Sequence, residues 1–273
     1  MRALFVVSLC FALSLHTTAS AHNEFIVDDR PPLIVVAQHV PYFFELLDLA
    51  LRESTEKYGP YELQAFQAHN AEKERVRSML KRGNAITVLW STTSKKREID
   101  YKHVPFNILK NLNEYRFLLI AKGQQEQFNS INSIEDLNLF RAGSGIHWQD
   151  TNIFSYNSLP VITGARYEIL FKMLAKNRFD YIARGAYEIW GELEDETLGE
   201  FDMENRLMLH YNAEYYFFVQ KDDSQLAERL EYGLKKADEN GRFDKLFFST
   251  PTFKKGWDTV HNSDRILLEL ETP

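Results

Sequence analysis

The sequence predicts an α/β protein of two lobes, each a mostly parallel sheet with flanking helices, joined by two hinge crossings. Three observations carry this. Strand and helix patterns alternate as β-α-β-α-β from Leu33 to Trp90, the order of a parallel sheet with covering helices. Two aromatic-rich strand patterns, Tyr115 to Lys122 and Tyr215 to Lys221, echo each other and both end in lysine. The block between them carries α/β signals of its own, so one lobe is interrupted by another, as in a hinged molecule.

Leu33 to Gln38 is a short apolar run rich in β-branched residues and reads as a strand. Pro41 opens a helix, since proline suits the first helical turn. Phe43, Leu47, Ala50 and Leu51 recur at helical spacing and mark its buried face. Gly59-Pro60 stops it. Tyr61 to Phe66 is a second strand, Glu72 to Lys81 a second helix ended by Gly83, and Ala85 to Trp90 a third strand. A polar loop, Ser91 to Glu98, follows that strand directly, where open α/β sheets place ligands. Ser94 is placed to cap a short helical turn carrying Arg97.

In the inner block, Ser133-Ile134-Glu135-Asp136-Leu137 opens a short helix. Arg141 to Thr151 reads as a strand end, a glycine-flanked turn at Gly143-Ser144-Gly145, and a helix start. Such a turn brings backbone N–H groups to an anion, and Trp148 adds a flat apolar face. Gly-x-Gly is a weak signal, and an ordinary strand-to-helix connection explains it equally well. A helix from Arg166 to Lys176 carries the stripe Tyr167, Leu170, Phe171 and Leu174, and a strand spans Asp180 to Ala183. After the second echo strand, Leu226, Leu230, Leu234 and Ala237 mark another amphipathic helix, ended by Gly241.

The N-terminus reads as a secretory signal peptide: Arg2, an apolar run from Leu4 to Leu15, then Ala19-Ser20-Ala21 as a small-x-small cleavage site. The expected divisions are a signal peptide over 1–21, a first lobe over 22–115, a second lobe over 116–214, and a return to the first lobe with C-terminal helices over 215–273. Cys10 as a lipid-attachment residue is a rival reading, weakened by Leu9 before it. Cys10 is the single cysteine, so the mature chain has neither a disulfide nor thiol chemistry, and a large core must hold it. The 39 acidic residues outnumber 32 basic ones, for a net charge of −7, which argues against nucleic acid and anionic membrane surfaces. Aromatic residues make up 14%, and aromatics line small-molecule sites.

The order of these features resembles the type II periplasmic solute-binding proteins, especially the amino-acid-binding (family 3) group. The likeness covers nearly the whole mature chain: the export signal, β-α-β-α-β, Thr92-x-Ser94-x-x-Arg97, the first crossing, Ser133 to Leu137, a glycine turn, Asn177-Arg178-Phe179-Asp180-Tyr181 and the second crossing. The resemblance implies that Arg97 clamps a ligand carboxylate with help from Thr92, and that the turn at Gly143 to Gly145 offers backbone donors from the other lobe. A guanidinium suits that task, because it meets a carboxylate with two parallel charge-assisted bonds. The chain departs from the pattern after Ala183. Where such binders commonly carry an aspartate for the ligand ammonium, Arg184-Gly185-Ala186-Tyr187-Glu188 stands. An arginine there suggests a second anion and a divergent subgroup.

The ligand-binding candidates are therefore Tyr42, Trp90, Thr92, Arg97, Gly143, Ser144, Gly145, Trp148 and Arg184, with no metal ligands and no cofactor. The competing roles are a solvated salt bridge for Arg97, an i,i+4 pair with Glu188 for Arg184, and partial core for Trp148, whereas Trp90 ends a strand that enters the cleft loop and is expected to stack on the ligand. Asp150 reads as a helix-start carboxylate, and His147 lacks a second ligand at metal spacing. No serine elbow, zinc-protease motif or phosphate loop is present, so catalysis would fall to a cleft carboxylate, Glu188 or Asp150. The expected function is capture of a small anionic, carboxylate-bearing solute for an ABC-type transporter. Alternatives are a sensory module serving a membrane receptor and an enzyme on the same fold. The expected molecule is a periplasmic monomer without membrane insertion.

Overall fold

The computed structural model describes residues 32–36, 40–66, 73–83 and 85–273. The expected signal peptide and Cys10 lie outside the described residues. The first part runs β1 (Leu33–Val36), α1 (Pro41–Tyr58), β2 (Glu62–Ala65), α2 (Lys73–Lys81), β3 (Val88–Thr92), α3 (Lys95–Asp100) and β4 (Tyr101–His103). The inserted part runs β5 (Tyr115–Ala121), the single turns α4 (Gln125–Phe128) and α5 (Ile134–Leu137), β6 (Ala142–Gly145), α6 (Gln149–Tyr156) and β7 (Val161–Gly164). It continues with α7 (Tyr167–Leu174), β8 (Tyr181–Gly185), α8 (Ile189–Glu194), β9 (Phe201–Met203) and β10 (Leu207–His210). The return comprises β11 (Tyr215–Gln220), α9 (Ser224–Glu239), α10 (Arg242–Ser249), α11 (Pro251–Asn262) and β12 (Ile266–Glu269).

Two sheets result, one per lobe. The first has the order β2-β1-β3-β11-β4, and the second β12-β10-β5-β8-β6-β7 with β9 also on β5. The βα units pair in parallel, as Val36 with Val88 and Ala142 with Tyr181. The echo strands do not. β11 runs antiparallel to β3, placing Phe217 beside Trp90, and β5 runs antiparallel to β8, placing Leu118 beside Ala183. Each sheet is therefore mostly parallel, as expected, with a single reversed strand, β11 in the first and β5 in the second, that enters directly from a hinge crossing.

The helical stripes are buried as their spacing predicts. α1 buries Phe43, Leu46, Leu47, Ala50 and Leu51, and each fully buried leucine stabilises by about 1.5–3 kcal/mol. β5 is apolar on both faces: Phe117 and Leu119 join a core that reaches Leu47 and Phe217, whereas Leu118 and Ile120 join a second core with Phe128 and Leu207. Two-sided burial explains the unbroken apolar run. Ser133 caps α5 reciprocally, its hydroxyl accepting from the Asp136 amide and the Asp136 carboxylate accepting from the Ser133 amide. Among the described residues, no helix is long and apolar enough to cross a membrane.

The C-terminal tail differs from expectation. α9 packs on α1 in the first lobe, but β12 joins the second sheet beside β10, with Leu207 opposite Ile266. The chain thus passes between the lobes three times, and the segment after Asn262 belongs with the second sheet. β10 supplies the reason: without β12 its outer edge would be unpaired.

Candidate functional site

A cleft of about 470 Å³ lies between the lobes. Thr92 and Arg97 line it from the first lobe, and Trp148 and Arg184 from the second. Arg97 is placed by the start of α3. The Ser94 hydroxyl accepts from the Arg97 amide at 3.3 Å, and Arg97 Nη1 donates back to the Thr92 carbonyl at 2.5 Å. The guanidinium is thereby folded over the end of β3. The Thr92 hydroxyl accepts from Asn113 Nδ2 at 3.2 Å, and that amide also donates to the Ala213 carbonyl at 2.5 Å. Asn113 thus ties the first crossing to the second and to the cleft loop.

The opposite wall is built on the end of β6. Trp148 turns back over it, its amide donating to the Gly145 carbonyl at 2.9 Å. A Cβ on residue 145 would lie 2.4 Å from Trp148 Nε1, so only glycine lets the indole settle there. Arg184, at the end of β8, lies with its guanidinium carbon 4.7 Å from the Trp148 ring and 5.7 Å from that of Tyr167. It is 7% exposed and fully engaged by carboxylates. Nε donates to both Glu192 oxygens at 2.8 Å, and Nη2 reaches Glu192 at 2.6 Å and Glu188 at 2.9 Å. Burying a guanidinium requires such partners. Burial pushes the Glu192 carboxyl above its ordinary value, with Arg184 opposing.

The floor holds a group that sequence reasoning missed. Arg116, 3% exposed on β5, donates from Nε to Asp150 at 2.9 Å and to the Tyr211 hydroxyl at 2.7 Å. Its Nη1 donates to Asn113 Oδ1 at 3.0 Å and to the Asn113 carbonyl, and the Tyr211 hydroxyl donates to Asp150. Burial alone would raise the Asp150 carboxyl, but the Arg116 charge and the Tyr211 bond hold it below its ordinary value. The available signal was a lone arginine inside the apolar strand Tyr-Arg-Phe-Leu-Leu-Ile-Ala.

Of the nine expected ligand residues, Thr92, Arg97, Trp148 and Arg184 line the cleft and five do not. Tyr42 is core: its hydroxyl donates to the Ile108 carbonyl at 2.6 Å and its ring meets Phe253 edge-on. Trp90 stacks on Phe43, with centroids 4.9 Å apart. Gly143, Ser144 and Gly145 are not a turn but strand β6, in parallel register with Ile162, Thr163 and Gly164. Gly143 lies under the Phe179 ring, which a Cβ would strike at 2.2 Å. The Ser144 hydroxyl accepts from Thr151 at 2.8 Å. The turn itself is Ile146 to Trp148. His147, on the rim, lines the cleft, and no cluster of three metal-binding side chains occurs among the described residues.

The charges nearly cancel. Arg116 is matched by Asp150, Arg184 is outweighed by Glu188 and Glu192, and Arg77 and Asp195 add one charge of each sign. With Arg97 the lining sums to zero.

No family model and no curated protein matches the sequence. Solved structures do. The GluR0 ligand-binding core from Nostoc punctiforme in complex with L-glutamate superposes with a TM-score of 0.59 at 14% identity, over 81% of this chain and 100% of that one. The fold is that of the type II periplasmic binding proteins. An amino acid ABC transporter substrate-binding protein, AbpA from Streptococcus pneumoniae, bound to L-arginine, matches this binding fold with a TM-score of 0.57 at 14% identity, over 83% and 95% of the chains. A histidine kinase sensor domain with similarity to periplasmic binding proteins matches it at 0.56 and 14%, over 81% and 99%.

Proposed function

We propose that the protein is an exported, periplasmic solute-binding protein that closes its lobes on a small carboxylate-bearing solute. The observation that carries this is the shared cleft, with Arg97 on one lobe and the Arg184, Glu188 and Glu192 cluster on the other. Arg97 and Thr92 take the carboxylate, and Trp148 with Tyr187 and Tyr215 gives the apolar walls. The second anion expected at Arg184 is disfavoured, since two carboxylates already claim that guanidinium. An ammonium group beside Glu188 fits better, so the solute is a zwitterion of amino-acid type rather than a plain anion. Closure removes water and strengthens these charge-assisted bonds.

Delivery is to an ABC-type transporter, a reading supported by the likeness to AbpA. The likeness to a kinase sensor domain favours a second reading, presentation to a membrane receptor. A catalytic role gains no support from Asp150, which is locked to Arg116 and Tyr211.

Calorimetry of refolded, ligand-stripped protein against a panel of amino acids and related carboxylates tests the proposal. Arg97→Ala is expected to weaken the best ligand by about 1.5–3 kcal/mol, the range for a bond between charged groups. Unchanged affinity would remove Arg97 as the clamp.

A further inference from the structure

The cleft does not end at Arg97. A trough of about 750 Å³ adjoins it, sharing Arg77, Arg97, His147 and Gln149 with the inner cleft and also lined by Pro273. Each compartment alone is in the size range that holds an organic ligand. The first-lobe wall of the trough carries Lys95 and Lys96 at the start of α3. The second-lobe wall is one face of α6, where Gln149, Asn152, Ser155 and Tyr156 recur at spacings of three or four.

The two compartments differ in charge. In the inner cleft, Arg116 and Arg184 are each answered by carboxylates. In the trough the one side-chain carboxylate, Asp100, is already held by Lys81 at 2.5 Å and Lys96 at 2.7 Å. Those two bonds pull its carboxyl down to about 2. Lys95 has no ion-pair partner among the described residues. Facing it, α6 offers amides and hydroxyls and no charge. Unanswered positive charge opposite neutral donors is an arrangement for a hydrated anion, and it begins where the amino-acid site stops.

We infer that the solute is elongated: an amino acid whose side chain is extended to a second, outer carboxylate, as in a γ-glutamyl dipeptide. A γ-linkage leaves the α-amino and α-carboxylate groups free for the inner cleft. The second carboxylate then rests between Lys95 and the α6 face at Asn152 and Ser155. This assignment rests on the inner cleft taking the amino-acid head.

The test titrates ligand-stripped full chain with free amino acids and with matched γ-glutamyl dipeptides, at low and high salt. The best dipeptide is expected to bind at least about tenfold tighter than the best amino acid, with an advantage that shrinks in salt. Lys95→Gln is expected to remove most of that advantage while leaving the amino acid unaffected. Equal binding of the two series, or an advantage indifferent to Lys95→Gln, overturns the elongated solute and leaves the amino-acid reading standing. Failure of both series to bind overturns both.

Discussion

Arg116 and Arg184 sit at the ends of neighbouring strands, and each is answered by carboxylates drawn from a helix start or the next turn. Breaking such a pair leaves a buried charge uncompensated, at a cost of about 3–5 kcal/mol. Asp150→Asn is therefore expected to lower unfolding stability by about 3 kcal/mol near neutral pH, measured by chemical denaturation. The pH dependence has a definite sign. The folded Asp150 carboxyl is depressed, so its contribution is present above the unfolded value of about 3.9 and is lost as pH falls through the lower folded value. Glu192 titrates in the opposite sense but is common to both proteins, so the difference between them isolates Asp150. The gap should be constant from pH 5 to 7 and close below about pH 4. A gap that persists in acid would show that packing, not charge, is lost. At this scale the sequence was partly legible. The place of Arg97 and Thr92 at the cleft was visible because a polar loop directly after a strand opens there, and the role proposed for them came from the family resemblance. Tyr42 and Trp90 were misplaced because a periodicity marks a buried face without saying whether a ligand or a neighbouring helix covers it.

The helices were legible where their stripes were long. The faces of α1 and α9 were both readable in the spacing of their leucines, but their closeness was not. A Cβ at Gly233 on α9 would fall 1.8 Å from the Ala50 carbonyl oxygen of α1, so the glycine sets how nearly the helices approach. The clash is with backbone, which cannot rotate away. Gly233→Ala, which would gain in helix propensity on an open surface, is here expected to destabilise by about 3 kcal/mol, the upper part of the usual overpacking range. Thermal and denaturant unfolding decide this, and a stabilised variant would show that the helices are further apart. β6 was misread for a related reason. Gly143-Ser144-Gly145 has the composition of a turn, yet its glycines serve strand packing under Phe179 and Trp148. Composition reports what a backbone is free to do, and the neighbours determine which use is made of it.

The two-lobed plan was readable because its repeats are local: βα units and two echo strands. The third passage between the lobes was not, since pairing β12 with β10 joins residues far apart in sequence and neither strand has a pattern naming its partner. Leu268 and Leu270 are buried by it, the Asn157 side chain bonds the Glu271 backbone twice at 2.8 and 2.9 Å, and His210 meets Glu269 at 2.6 Å. Truncation after Asn262 removes all of this. Burial of the two leucines alone sets an expected loss of about 3–6 kcal/mol. The position of the damage matters more than its size. If the tail belongs with the second lobe, hydrogen exchange should accelerate first along β10 and next to it on β5, while β1 and β3 keep their protection. Acceleration spread over β3 and β11 instead would place the tail with the first lobe. The same truncation removes a strap that runs from α11, which packs on both α10 and α8, to the second lobe's sheet edge. The lobes of the truncated chain are therefore expected to move more freely, read as a larger radius of gyration in solution scattering than loss of the tail alone produces.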